Sequence, residues 1–136
     1  MNIYRSLNHQ KFRISYHIIF STKYRRKCLL PIVNDIKSYM LESSKNQNWK
    51  ISYMEIDKLK PDHIHFLIDA TPLCQISEIV KRLKQYSTFY TWKNFNSYMR
   101  KFYWSGKHYL WTRGYFCSSL GEVSSDKVSE YIKNQS

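Results

Sequence analysis

The chain has 136 residues, 43% of them apolar, enough for one domain with a real core and too few for two. Lysine and arginine number 22 against 10 acidic residues, leaving a net charge of +12. A Lys-, Asn-, Ile- and Tyr-rich composition accounts for many lysines but not for the scarcity of acids, so a polyanionic partner is expected, most often nucleic acid. Cys28, Cys74 and Cys117 are odd in number and widely spaced, with no Cys-x-x-Cys, which argues against a disulfide frame or a thiolate zinc site and for a reducing compartment. Met1-Asn2-Ile3-Tyr4-Arg5 lacks the apolar run of a signal peptide, and no stretch is long enough to cross a bilayer. The expectation is a cytoplasmic protein with no membrane partner.

Residues 1–11 are polar and read as a loose arm. From Phe12 the pattern alternates, with Phe12, Ile14, Tyr16, Ile18 and Phe20 on one side and Arg13, Ser15 and His17 on the other, predicting a first strand. Lys23-Tyr24-Arg25-Arg26-Lys27 follows, four cations around one aromatic, which suits a solvated turn or a phosphate-gripping loop. Pro31 fits the first turn of a helix, and Val33, Ile36 and Met40 recur at helical spacing, predicting a helix from 31 to about 46. Residues 49–56 are β-branched and aromatic with imperfect alternation, predicting a second strand. Asp57 to Pro61 turns the chain into a third, making a hairpin.

That third strand reads Pro61-Asp62-His63-Ile64-His65-Phe66-Leu67-Ile68-Asp69. Side chains two apart on a strand share a face, so Ile64, Phe66 and Ile68 can bury while His63 and His65 stand together on the other side. Two imidazoles on one rigid strand form a two-toothed metal chelate that needs little further organisation. The same pattern also fits two solvent-facing histidines on an amphipathic strand.

Thr71-Pro72 resembles a cap and first turn. Ile76, Ile79, Val80, Leu83, Ser87 and Tyr90 form a stripe that predicts a helix over about 75–92, its other face carrying Lys81, Arg82 and Lys84. Segment 93–109 interleaves Phe95, Tyr98, Phe102, Tyr103 and Trp104 with Lys93, Arg100, Lys101 and Lys107, a composition that fits core filling or single-strand stacking; a loop with a short helical turn is expected. Residues 111–119 predict a fourth strand, and 125–135 a closing helix. The order β-α-β-β-α-β plus a last helix is the α+β, ferredoxin-like split-βαβ plan: an antiparallel sheet with helices packed on one face. In the last helix Tyr131 and Gln135 are i and i+4, hence neighbours at the edge of its apolar stripe.

Four stretches now stand in one order: Tyr16 to Lys27, Pro61 to Ile68, Gly114 to Gly121, and Tyr131-Ile132-Lys133-Asn134-Gln135. Together they closely resemble the small single-tyrosine HUH transposases of the insertion-sequence two-hundred kind, over about residues 12–135. The resemblance implies that residues 1–136 are one HUH transposase domain. It implies that His63 and His65 are metal ligands around the hydrophobic Ile64, that Tyr131 is the nucleophile on a C-terminal catalytic helix, and that Gln135 is the third ligand. Gly114 and Gly121 match the family's flexible approach to that helix. It further implies a homodimer joined through its sheets, single-stranded DNA with hairpins at the element ends as substrate, and no nucleotide cofactor. One departure is that the sequence stops one residue after Gln135.

The chemistry suits these residues. A phenol with a pKa of about 10 is a poor nucleophile unless assisted, and a divalent metal can polarise the phosphate it attacks. Imidazole favours Mn²⁺ while Mg²⁺ prefers oxygen, so Mg²⁺ or Mn²⁺ is expected, with Mn²⁺ bound more tightly. For the DNA surface the candidates are Lys23, Arg25, Arg26, Lys27, Lys81, Arg82 and Lys84. Three rival readings stand beside the transposase. One is a non-catalytic single-strand nucleic-acid-binding module, and another a metal-dependent phosphodiesterase using water. The third is a palindrome-associated relative that no longer mobilises its own element.

Overall fold

A computed structural model describes residues 14–121. The expected arm, the start of the first strand, and the closing helix with Tyr131 and Gln135 lie outside the described residues. Four strands and two long helices alternate in the expected order. They are β1 (Ile14–Ser21), α1 (Val33–Ser44), β2 (Trp49–Ile56), β3 (His63–Ala70), α2 (Ile76–Asn94), the one-turn α3 (Asn96–Met99) and β4 (Phe116–Gly121). The sheet is antiparallel throughout in the order β2-β3-β1-β4, so β3 and β1 are central. This is the split-βαβ plan.

Alternation decides which face of each strand meets the helices. On β1, Ile18 and Phe20 are fully buried, as are Ile64, Phe66 and Ile68 on β3. They pack with Ile36 and Met40 of α1 and with Ile79 and Leu83 of α2. Burying each such side chain contributes about 1.5–3 kcal/mol. The stripe Ile79, Val80, Leu83, Ser87 is the face that α2 buries. Ser87 costs little there because its hydroxyl donates to the Leu83 carbonyl (2.7 Å) and accepts from the Trp111 indole (2.9 Å).

The imperfect alternation of β2 has a structural cause. Its register on β3 shifts between Ile51 and Tyr53, leaving Ser52 as an extra residue. A bulge of this kind flips the parity of everything beyond it. Trp49 and Ile51 before the bulge and Met54 and Ile56 after it therefore all reach the helix side, while Tyr53 and Glu55 take the side of the histidines. The Ser52 hydroxyl hydrogen-bonds the Leu67 carbonyl at 3.3 Å.

Two boundaries and one cap differ from expectation. The α1 helix begins with a short 3-10 turn, Leu30–Ile32, around Pro31. The α2 helix begins at Ile76, as expected from about 75, but its N-cap is Gln75 and Thr71-Pro72 is not its cap and first turn. The Thr71 hydroxyl instead accepts from the Leu73 amide (3.3 Å), closing a turn ahead of the helix. The fourth strand begins at Phe116, and Trp111 makes only an isolated bridge to Thr22. The reason is Lys84: its ammonium donates to the carbonyls of Thr112, Arg113 and Gly114 at 2.7, 2.9 and 3.0 Å. Three successive carbonyls turned toward one cation cannot also serve a β ladder.

Candidate metal centre and nucleic-acid interface

His63 and His65 sit at the first and third positions of β3, on the face away from the helices. That face is not bare solvent: His65 is 8% exposed, and Leu67 and Asp69 beyond it are buried. Two solvent-facing histidines therefore do not describe the site. Each imidazole has a partner that orients it. The Nδ1–H of His63 donates to Asp62 Oδ1 at 2.9 Å. Burial pushes the Asp62 carboxyl up, but the His63 hydrogen bond, the backbone and the charge of Arg25 outweigh it and hold the carboxyl below its usual range. An ionised Asp62 accepting from Nδ1–H favours the tautomer of His63 in which Nε2 carries the lone pair.

His65 is held by a residue from the neighbouring strand. Register pairs His65 with Ile19 and Leu67 with His17. His17 and His65 are thus diagonal neighbours on one face, a spacing that ring side chains can bridge. His17 Nε2 lies 3.1 Å from His65 Nδ1, with the rings stacked at 5.3 Å between centroids. His17 is fully buried, and Phe116 of β4 meets it edge-on at 5.7 Å. Burial, then the neighbouring His65, lower the His17 pKa to about 4. Burial also lowers that of His65, although Asp57, 3.8 Å from its Nε2, works the other way. Both rings are thus favoured in the neutral form, the form in which His65 could ligate a metal. His65 also lines a cleft of about 270 Å³ with Tyr53, Glu55, Asp57 and Leu59.

These donors fit a divalent cation. The two imidazoles on one face each have Nδ1 engaged, so a cation bound there would be held through Nε2. Among the described residues, no group of three or more His, Cys, Asp and Glu side chains comes together to hold a metal. Tyr131 and Gln135 lie outside the described residues. Sequence reasoning missed His17, Asp57 and Asp62 as partners. A signal for His17 existed: it shares the polar parity of β1, and the split-βαβ plan puts β1 beside β3.

The basic loop forms the rim of this centre. Ser21 pairs with His63, and the Thr22 amide donates to the Asp62 carbonyl at 2.9 Å. The 3-10 turn Lys23–Arg25 follows at once, and the Arg25 guanidinium reaches Asp62 at 4.0 Å. Tyr24 and Arg25 both have positive φ, 59° and 56°. Left-handed backbone costs a non-glycine residue about 1–2 kcal/mol, and here the surroundings impose it. Tyr103 donates to the Lys23 carbonyl at 2.7 Å, the Lys23 amide to Leu110 at 2.8 Å, and the Thr22 hydroxyl to the Arg26 carbonyl at 2.7 Å. Of the cations expected on α2, Lys81 is exposed. Arg82 donates to the Ser43 carbonyl at 2.6 Å and Lys84 holds the three carbonyls described above, so both also have architectural partners. Among the described residues, no helix is long and apolar enough to cross a membrane.

Comparison with known proteins places these features in a family. The model of the family described as "Transposase IS200 like" matches residues 10–135. The transposase of insertion sequence element IS200 from Salmonella typhimurium is 29% identical over 131 residues, 96% of this chain and 82% of that one. The ISDra2 transposase TnpA of Deinococcus radiodurans is 29% identical over 125 residues, 91% of this chain and 85% of that one. A crystal structure of a Deinococcus radiodurans protein assigned as a transposase superposes with a TM-score of 0.69 at 26% identity, covering 91% and 92% of the two chains. A tyrosine transposase associated with REP sequences, solved bound to a REP hairpin, shares the fold with a TM-score of 0.60 at 9% identity, covering 88% of this chain and 62% of that one.

Proposed function

Since the chain belongs to the IS200-like transposases, we propose that it cleaves and rejoins single-stranded DNA beside hairpins at the ends of its element. Tyr131 is the nucleophile, His63, His65 and Gln135 hold Mg²⁺ or Mn²⁺, and two copies act as a homodimer. The observation that carries this reading is the pair of imidazoles on β3, each with Nδ1 engaged, by Asp62 and by His17. That arrangement suits ligation by Nε2. The net charge of +12 and the basic loop one residue beyond β1 suit a phosphate backbone. The REP-hairpin complex of a fold relative makes a hairpin substrate a natural expectation.

A divalent cation held by His63, His65 and Gln135 would supply Lewis-acid polarisation of the scissile phosphate. The protein does the rest. Tyr131 Oη attacks phosphorus and loses its proton to solvent. The bond to O3′ breaks, and that oxygen leaves as a 3′-hydroxyl after taking a proton. The 5′-phosphate remains esterified to Tyr131, so its bond energy is retained and another 3′-hydroxyl can displace the tyrosine without a nucleotide cofactor. Arg25 and Lys27, exposed on the rim, grip the phosphates of the incoming strand.

The test uses labelled single-stranded oligonucleotides from the flanks of the gene, with Mn²⁺, resolved on a denaturing gel. Wild-type protein is expected to yield a covalent adduct. Tyr131→Phe should yield no adduct and no cleavage while still retarding the hairpin on a native gel. Cleavage by the Phe variant at the wild-type rate would identify water as the nucleophile and refute the transesterification.

A further inference from the structure

The strained turn at the rim presents more than charge. Tyr24 is 61% exposed and Trp104, eighty residues away in sequence, is 72% exposed. The Arg26 guanidinium lies between them in contact terms, 5.2 Å from the Trp104 ring centre and 5.9 Å from that of Tyr24. Lys23 stands 5.2 Å from both the Tyr24 and the Tyr109 rings. Large exposed aromatics normally fold back onto apolar surface. These two are held outward by a backbone that the fold constrains: the left-handed Tyr24 and Arg25 on one side, and on the other a segment anchored by Tyr103, which is buried and hydrogen-bonded to Lys23. Trp104 also lines a cleft of about 320 Å³ with Asn96, Arg100 and His108.

We infer that Tyr24, Arg26 and Trp104 form a base-stacking site for an unpaired nucleotide of the DNA strand that runs to the His63–His65 centre. The inference rests on the DNA-processing reading above and adds to it a place where a base, not only a phosphate, is held. Three features of the cluster fit this ligand. An exposed indole or phenol face is the surface on which a nucleobase stacks irrespective of its sequence. A guanidinium against the same rings polarises the stack and neutralises the adjoining phosphate. The location is right as well: Arg25, between Tyr24 and Arg26, contacts Asp62, and Asp62 holds His63. A base anchored on this cluster fixes the register of the strand relative to the reacting centre, which charge alone cannot do.

The experiment compares two strands of equal length and charge, a fluorescein-labelled single-stranded oligothymidylate and the same backbone with abasic sites throughout. Binding to the full-length chain is followed by fluorescence anisotropy without added metal. Wild-type protein should bind the base-bearing strand about tenfold more tightly than the abasic one, the scale of one stacked base. Trp104→Ala should lose about that factor on the base-bearing strand and nothing on the abasic one. Trp104→Phe should retain most of it. Because Trp104 is so exposed, the alanine variant should melt at the wild-type temperature. Equal affinity of the wild type for both strands, or equal losses on both in Trp104→Ala, would overturn the stacking site and leave the transposase reading standing. Failure of the wild type to bind either strand would overturn the DNA reading along with it.

Discussion

Replacing His17 by phenylalanine isolates the contact that aims His65. Phenylalanine fills similar space in a fully buried position, so the packing against Phe116 is kept, but the nitrogen 3.1 Å from His65 Nδ1 is lost. Two consequences follow in magnitude. A buried polar atom left without a partner costs about 1–3 kcal/mol, which for a chain of this size lowers the melting temperature by roughly 3–10 °C. Losing the partner that orients a ligating histidine weakens metal binding by about 10–100-fold. The assay is calorimetric titration with Mn²⁺, alongside melting in the presence of a chelator. His17→Gln, whose amide can reach the same nitrogen, should recover most of the affinity. A merely structural residue would lower the melting temperature and leave Mn²⁺ affinity alone. If His17→Phe binds Mn²⁺ as tightly as the wild type, the diagonal histidine does not orient the ligand.

Four further outcomes are expected. His63→Ala should reduce Mn²⁺ affinity more than Gln135→Ala, because His63 is fixed on a central strand by Asp62; the opposite order in a calorimetric comparison would reassign the principal ligand. DNA affinity should fall steeply with salt, and Arg25→Ala or Lys27→Ala should each reduce the slope of log K against log salt by about 0.7, the value for one single-strand phosphate contact. A slope unchanged in both variants would remove the basic loop from the interface. Lys84→Met should lower the melting temperature by an amount equivalent to about 1.5–3 kcal/mol, the worth of hydrogen bonds to a charged donor, since three carbonyls lose their cation; a melting curve like that of the wild type would show that water replaces it freely. Finally, burial pushes the Cys28 thiol up to about 11, so it should resist a thiol reagent at neutral pH while the exposed Cys117 reacts. Equal labelling rates, read by mass spectrometry, would mean that the core opens on the labelling timescale.

Local periodicity determined much of this protein in advance. Alternation over 14–20 and 63–69 sufficed for the two central strands and for which side chains each turns to the helices, because a strand's parity is a property of the strand itself. The α2 stripe was equally legible, and so was the pairing of the two imidazoles on one face. What the sequence did not determine depends on register between segments distant in the chain. The Ser52 bulge rescues an alternation that reads as broken, and only its partner strand reveals that two residues oppose one. His17 becomes the partner of His65 because antiparallel pairing sets them on a diagonal 48 residues apart. The start of β4 was misplaced because Lys84, on a helix, takes the carbonyls that would have extended the ladder. Arg26 joins Tyr24 to Trp104 only once the turn adopts left-handed backbone, a conformation that Tyr and Arg do not favour and that Tyr103, Leu110 and Thr22 impose from outside. Side-chain parity is encoded residue by residue, whereas register, strain and the sharing of carbonyls are settled by whichever tertiary partner competes best, and no local pattern carries that information.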